Sequence, residues 1–103
     1  MEFTIIVSTY PTKKSVSKIA TELVKSKIVA CVNFSKISSI YFWDGKIENT
    51  SEYIAIFKTS LKNKNLLKKK ITDSHPYDVP EIVEISPDSV NKSYLNWLIS
   101  STN

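Results

Sequence analysis

The chain holds one glycine, one cysteine, one histidine and no arginine, and each scarcity removes a class of function. Without arginine there is no natural donor for bidentate recognition of phosphate or guanine, so the net charge of +4, carried by lysine alone, does not read as a nucleic-acid surface. Lys62, Lys64, Lys68, Lys69 and Lys70 cluster in one helical segment and read as a solvated helix face. A single glycine, Gly45, cannot build a phosphate-cradling loop or the glycine- and aromatic-rich strand motif of RNA-binding sheet domains. A single cysteine, Cys31, excludes an internal disulfide and a CxxC metal or redox motif, and it fits a reducing compartment. Cys31 with His75 would be the pair for a cysteine hydrolase, but no orienting motif supports it. No apolar run approaches the length of a membrane span. Met1-Glu2-Phe3 leads directly into a strand pattern, so no signal peptide and a cytoplasmic address are expected.

What is present fits one small α+β domain over residues 1–103, with 42% hydrophobic residues to form its core. Phe3 to Tyr10 alternates like a strand, with Phe3, Ile5 and Val7 on one face. Tyr10-Pro11 ends it, and Thr12 or Ser15 can cap a helix whose stripe is Val16, Ile19, Ala20, Leu23, Val24 and Ile28. Val29 to Trp43 is a long extended run in which Val32 and Phe34 share one parity and Ile37, Tyr41 and Trp43 the other. That switch predicts a bulge between Asn33 and Ile37. Asp44-Gly45 is a strong two-residue hairpin signal, and the return strand runs from Lys46 to Thr59. Ser60 to Asp73 reads as a second helix, Glu81 to Ser86 as a strand, and a last helix, capped by Asp88 or Ser89, carries Val90, Tyr94, Leu95, Trp97 and Leu98. The order β-α-β-β-α-β-α is a ferredoxin-like split βαβ sandwich with an antiparallel sheet, a long hairpin and an added helix.

Two helices cover one face of such a sheet, yet Ile5, Ile6 and Val7, and likewise Ile54, Ala55, Ile56 and Phe57, are apolar at both parities. The last helix is too short to cover a second face at about 1.5 Å per residue, so self-association is expected. Tyr41, Phe42 and Trp43 at the hairpin, with Ile54 and Ile56, are the candidate contacts. Between the lysine-rich helix and the last strand lies His75-Pro76-Tyr77-Asp78-Val79-Pro80-Glu81. Its prolines end the helix and hold an imidazole, a phenol and two carboxylates in one stiff loop. His75 can ligate a metal or simply hydrogen-bond at the helix end. Cys31, flanked by apolar residues, is usually a small core residue.

Ala30-Cys31-Val32-Asn33, the run Ser39 to Ile47, Glu52, Lys58-Thr59, His75-Pro76-Tyr77 with Pro80-Glu81, and Tyr94-Leu95-Asn96-Trp97 together resemble the CutA family of divalent-cation-tolerance proteins. The match runs in order along nearly the whole chain. It implies a tight homotrimer akin to the PII-like signalling proteins, a role in tolerance of divalent metals, copper most often, and no defined enzymatic activity. It also places Tyr41, Lys46, Glu52 and Lys58 in a cleft at each subunit boundary, with Trp43 and Tyr77 as further lining residues. There a divalent metal, copper or zinc, would take His75 first, then Asp78 and Glu81, with Cys31 as a further candidate. Asp78 stands where the family commonly has glutamate, Ser86 to Ser93 lacks a glycine often seen there, and there are no additional cysteines, which disfavours a soft copper(I) site. The alternative reading is a PII-like signalling or scaffold trimer that binds a small metabolite or a protein partner without a metal.

Overall fold

The computed structural model describes residues 2–103. Strand β1 (Phe3–Tyr10) leads into helix α1 (Lys13–Lys25), then β2 (Cys31–Trp43) and β3 (Lys46–Ser60). A 3₁₀ turn (Leu61–Asn63) opens α2 (Lys64–Ser74), and β4 (Val83–Ile85) and α3 (Lys92–Ser100) follow. The four strands form one antiparallel sheet in the order β2-β3-β1-β4, the ferredoxin-like arrangement.

Alternation along the strands sorts the side chains into two faces. Ile6 and Tyr10 of β1 share a face with Ala55 and Phe57 of β3, and they pack against Val16, Ile19 and Leu23 of α1 and Leu67 and Ile71 of α2. Thr12 caps α1 with a reciprocal box: its hydroxyl accepts from the Ser15 N–H at 3.1 Å, while the Ser15 hydroxyl accepts from the Thr12 N–H at 3.4 Å. The opposite face carries Ile5, Val7, Ile54 and Ile56. Helix α3 covers one end of it, where Tyr94 lies 6.3 Å from the buried Phe3 ring. Val83 and Ile85 at the edge remain exposed, and Ile54 and Ile56 are half-buried.

Three expectations are corrected. No bulge interrupts β2, because every residue from Cys31↔Lys58 to Trp43↔Lys46 pairs in a single register. The change of apolar parity instead reflects length. Strand β2 spans about 43 Å at 3.3 Å per residue and α1 about 20 Å at 1.5 Å per residue, so the hairpin runs well past the helices. Beyond them neither face is a core face, and Ile40, Phe42 and Ile47 are 72%, 71% and 74% exposed. The last strand is three residues long, not six, since the loop before it leaves the ladder after Val7↔Val83. Helix α3 starts at Lys92 behind Asn91, which makes no side-chain cap, and neither Asp88 nor Ser89 reaches it.

Positive φ is not confined to glycine. Asp44 (φ 51°) and Gly45 (φ 77°) form the hairpin turn, and Lys27 (φ 61°) ends α1. At Lys27 the N–H bonds to the Val24 carbonyl, and the Ile28 N–H bonds to that of Leu23, both at 3.0 Å. This is the Schellman pattern, in which glycine is the usual residue. Lys27→Gly is expected to raise stability by about 0.5–1 kcal/mol, the left-handed penalty less the added freedom of the unfolded chain. A rise in the urea midpoint is the result expected, and a fall would show that the Lys27 side chain makes a stabilising contact.

Candidate functional site

The loop from His75 to Ile82 is shaped by its two prolines and by the shortness of β4. His75 caps α2 with extended backbone (φ −72°, ψ 134°), as a residue before proline must. Lys68 and Lys64 of α2 donate to the Glu84 carboxylate at 3.0 and 3.2 Å and tie the helix to β4 at the far end of the loop. Because β4 pairs only with Ile5, Ile6 and Val7, the edge of β1 from Ser8 to Tyr10 has no strand beside it. The loop crosses that edge, and its residues divide between the two faces of the sheet.

On the helix side lies His75. Its ring stacks on Tyr10 at 4.4 Å between centroids and 22° between planes, with Tyr77 5.3 Å away. Nδ1 accepts the Tyr77 N–H at 3.1 Å, so the proton of the neutral ring is on Nε2, which donates to the Ser8 hydroxyl at 3.1 Å. Burial pushes the imidazole below its usual value, and the Thr9 backbone, a hydrogen-bond partner of the charged ring, offsets part of this. Burial likewise raises the Tyr10 hydroxyl to about 12.

On the other face a groove of about 520 Å³ lies near the hairpin end of the sheet. Tyr41 and Trp43 of β2 and Glu52 of β3 form one wall, with Thr9 of β1 beneath. Tyr77, Asp78, Val79 and Glu81 of the loop form the other. The Tyr77 hydroxyl crosses between the walls and donates to Glu52 Oε1 at 3.0 Å. Its pKa is raised to about 12, first by burial and then by the hydrogen bond to Glu52 and the negative charge there, so the phenol stays a donor. On the hairpin wall the Thr50 hydroxyl meets the Tyr41 hydroxyl at 3.4 Å.

The structure therefore brings together six of the sequence-derived site residues: Tyr41, Trp43, Glu52, Tyr77, Asp78 and Glu81. It separates His75 from the two carboxylates by the β1 backbone. Cys31 lies across the sheet beside Lys58 in the β2–β3 ladder, its Sγ 3.7 Å from Asn33 Oδ1. Lys46 pairs with Trp43 at the hairpin tip, outside the groove lining. Among the described residues no three His, Cys, Asp or Glu side chains converge on a point where a metal ion could sit. Sequence reasoning missed Thr9 and Val79 as lining residues, and Ser8 and Tyr10 as the partners of His75. The alternation of β1 assigns these residues to two faces, but only the path of the loop shows which face meets the groove.

The split βαβ sheet with an overlong hairpin and an edge-crossing His-Pro-Tyr loop defines a ferredoxin-like α+β domain. Residues 4–101 match the model of the CutA1 divalent ion tolerance protein family. The divalent-cation tolerance protein CutA of Pyrococcus horikoshii is 42% identical over 98 residues, which cover 95% of this chain and 96% of that one. The crystal structure of CutA1 from Ehrlichia chaffeensis superposes with a TM-score of 0.95 at 32% identity, covering 99% of this chain and 96% of that one. A CutA structure from Archaeoglobus fulgidus, described as periplasmic, gives 0.91 at 30% identity over 96% and 97% of the two chains. The chain belongs to the CutA1 divalent ion tolerance family. That family is named for tolerance of ions and not for a reaction, and its described members do not share one compartment, since a relative from Oryza sativa is described as chloroplastic. Among the described residues no helix is long and apolar enough to cross a membrane.

The half-buried imidazole gives a pH dependence with a definite sign. The folded ring takes up a proton less readily than the unfolded one. Its contribution is therefore complete above the unfolded value of about 6.5 and is lost as pH falls through the lower folded value. Urea midpoints at pH 7.5 and 5 should fall further for the wild type than for His75→Gln. Equal falls would show that the ring is not buried neutral.

Proposed function

We propose that the protein acts as a homotrimer in divalent-ion tolerance, in the cytoplasm and without catalysing a reaction, with the groove facing the boundary between copies. The observation that carries the assembly is the apolar surface of the hairpin: Ile40, Phe42 and Ile47 are exposed on the helix-side face beyond the helices, and Trp43 is exposed on the opposite face, which α3 covers at one end only. An apolar surface of this kind on a long hairpin favours a closed ring over open-ended pairing. Tyr41, Phe42 and Trp43, with Ile54 and Ile56 behind them, are the contacts we assign.

One chain does not by itself fit a metal ion, since both His75 nitrogens are engaged and the carboxylates sit on the other face of β1. A divalent ion, copper(II) or zinc(II), then takes Glu52, Asp78 and Glu81 of one copy with donors from the next, and His75 joins only by releasing Ser8. Carboxylates with at most one imidazole are a weak set, so the affinity is modest. The groove equally supports a PII-like signalling or scaffold trimer, because its volume suits a small organic molecule better than a lone ion.

Sedimentation equilibrium at micromolar concentration should give three times the chain mass, and Trp43→Ala should shift the protein toward monomer, a loss of about 2 kcal/mol or more per anchor. A monomeric wild type would remove the trimer. Calorimetric titration of copper(II) and zinc(II) into wild type, Asp78→Asn and His75→Ala should show binding weakened by the first change more than by the second. Absence of binding in all three would leave the tolerance role indirect.

A further inference from the structure

The residues that line the groove share a chemistry that a metal does not exploit. Three of them are carboxylates, Glu52, Asp78 and Glu81, and none is lysine or histidine. Three are aromatic, Tyr41, Trp43 and Tyr77, and they stand on both walls. Aromatic faces attract cations through the ring quadrupole, most strongly when the cation is weakly hydrated and can give up its water. A hydrated metal ion gains nothing from such walls, whereas an alkylammonium ion presents both a charge and an apolar body. The volume of about 520 Å³ lies in the range of small-molecule sites and far exceeds that of a single ion.

One further observation points to a ligand, beside the hydroxyl-bearing Thr9 beneath the groove. The Glu52 carboxylate is fixed before any ligand arrives, because the Tyr77 hydroxyl holds one of its oxygens at 3.0 Å. A charge already held in place binds without the entropy loss of ordering it.

We infer that the groove is a binding site for a small organic ammonium ion, held by Glu52 and Asp78 through charge and by Tyr41, Trp43 and Tyr77 through their ring faces. The Thr9 hydroxyl takes a polar substituent on the same ligand. The inference rests on the groove being the ligand site, and not on a metal being bound there.

The test uses the full chain in its solution assembly, freed of metal by chelation. Choline and its uncharged isostere 3,3-dimethylbutan-1-ol are titrated by calorimetry into wild type, Glu52→Gln and Asp78→Asn. Choline should bind saturably, and the isostere about tenfold more weakly or worse, the factor expected when a cation–π and charge contribution of about 1.4 kcal/mol is lost. Each amide variant should weaken choline by about three- to tenfold and leave the isostere unchanged. Asp78 is exposed in the loop, so Asp78→Asn keeps the test available even if Glu52→Gln disturbs the hydrogen bond to Tyr77. Equal binding of choline and isostere, no effect of either variant, or no saturable binding of choline at high millimolar concentration would overturn the assignment. Failure of choline with retained copper or zinc binding would overturn this inference alone, and the reverse result would remove the metal alone.

Discussion

The unbroken antiparallel register of β2 with β3 is the constraint on which the other features depend. Thirteen consecutive pairs, closed by Asp44-Gly45, commit the chain to a ribbon about twice as long as the helices that could cover it. The overhang gives the molecule a longest dimension of 46 Å against 27 and 21 Å. It also carries Tyr41 and Trp43 to a place where no helix competes for them, so they become groove wall. A bulge would have turned Ile37, Tyr41 and Trp43 toward the helix side and abolished the groove. A straight register leaves them on the face of Glu52 and Thr9.

The second wall depends on an absence in the sheet. Had β4 extended to pair with Ser8 and Tyr10, the loop would have run along the strand edge and not across it. Pro76 and Pro80, which donate no backbone N–H, keep that stretch out of the ladder. The crossing puts His75 among Tyr10, Ser8 and Tyr77 and delivers the Tyr77 hydroxyl to Glu52 on the opposite face. His75 thus positions the loop: its Nδ1 holds the Tyr77 backbone, and Tyr77 in turn holds Glu52. The histidine and the carboxylates act at the same place in the fold, but from opposite sides of one strand.

Much of this was legible in the sequence, for reasons that can be stated residue by residue. Of the stripe Val16, Ile19, Ala20, Leu23, Val24 and Ile28, the first four are buried from α1 as read, while Val24 is exposed and Ile28 is buried beyond the end of the helix. Asp44-Gly45 needs two positive φ values and takes them. The parity switch in β2 was misread because alternation reports which face is apolar, not what covers it, and here the cover ends partway along the strand. The three-residue β4 was overestimated because the apolar run Ile82 to Ile85 does not say where the preceding loop leaves the ladder. Among site residues that line the groove, Asp78 and Glu81 were found through the chemistry of the proline-bounded loop, and Tyr41, Trp43, Glu52 and Tyr77 through the resemblance. Thr9 and Val79 carry no distinctive chemistry, and only the path of the loop identifies them. The resemblance to CutA proteins located the family, yet it could not say that the loop from His75 to Ile82 would split across a sheet.

The charge pattern adds a last physical point. The protein carries a net +4, so at long range it repels cations, but eight of its ten acidic residues lie in 44–52 and 73–88, the segments that contribute Glu52, Asp78 and Glu81 to the groove. Screening at physiological salt confines each field to about 8 Å. Within that distance the groove is governed by its own three carboxylates, while Lys64 and Lys68 are already engaged by Glu84 at the other end of the loop. Capture of the proposed ammonium ion would therefore be a local event that owes nothing to long-range steering. A salt titration should change how fast such a ligand arrives far less than how firmly it is held, which is the opposite of what a uniformly acidic protein would show.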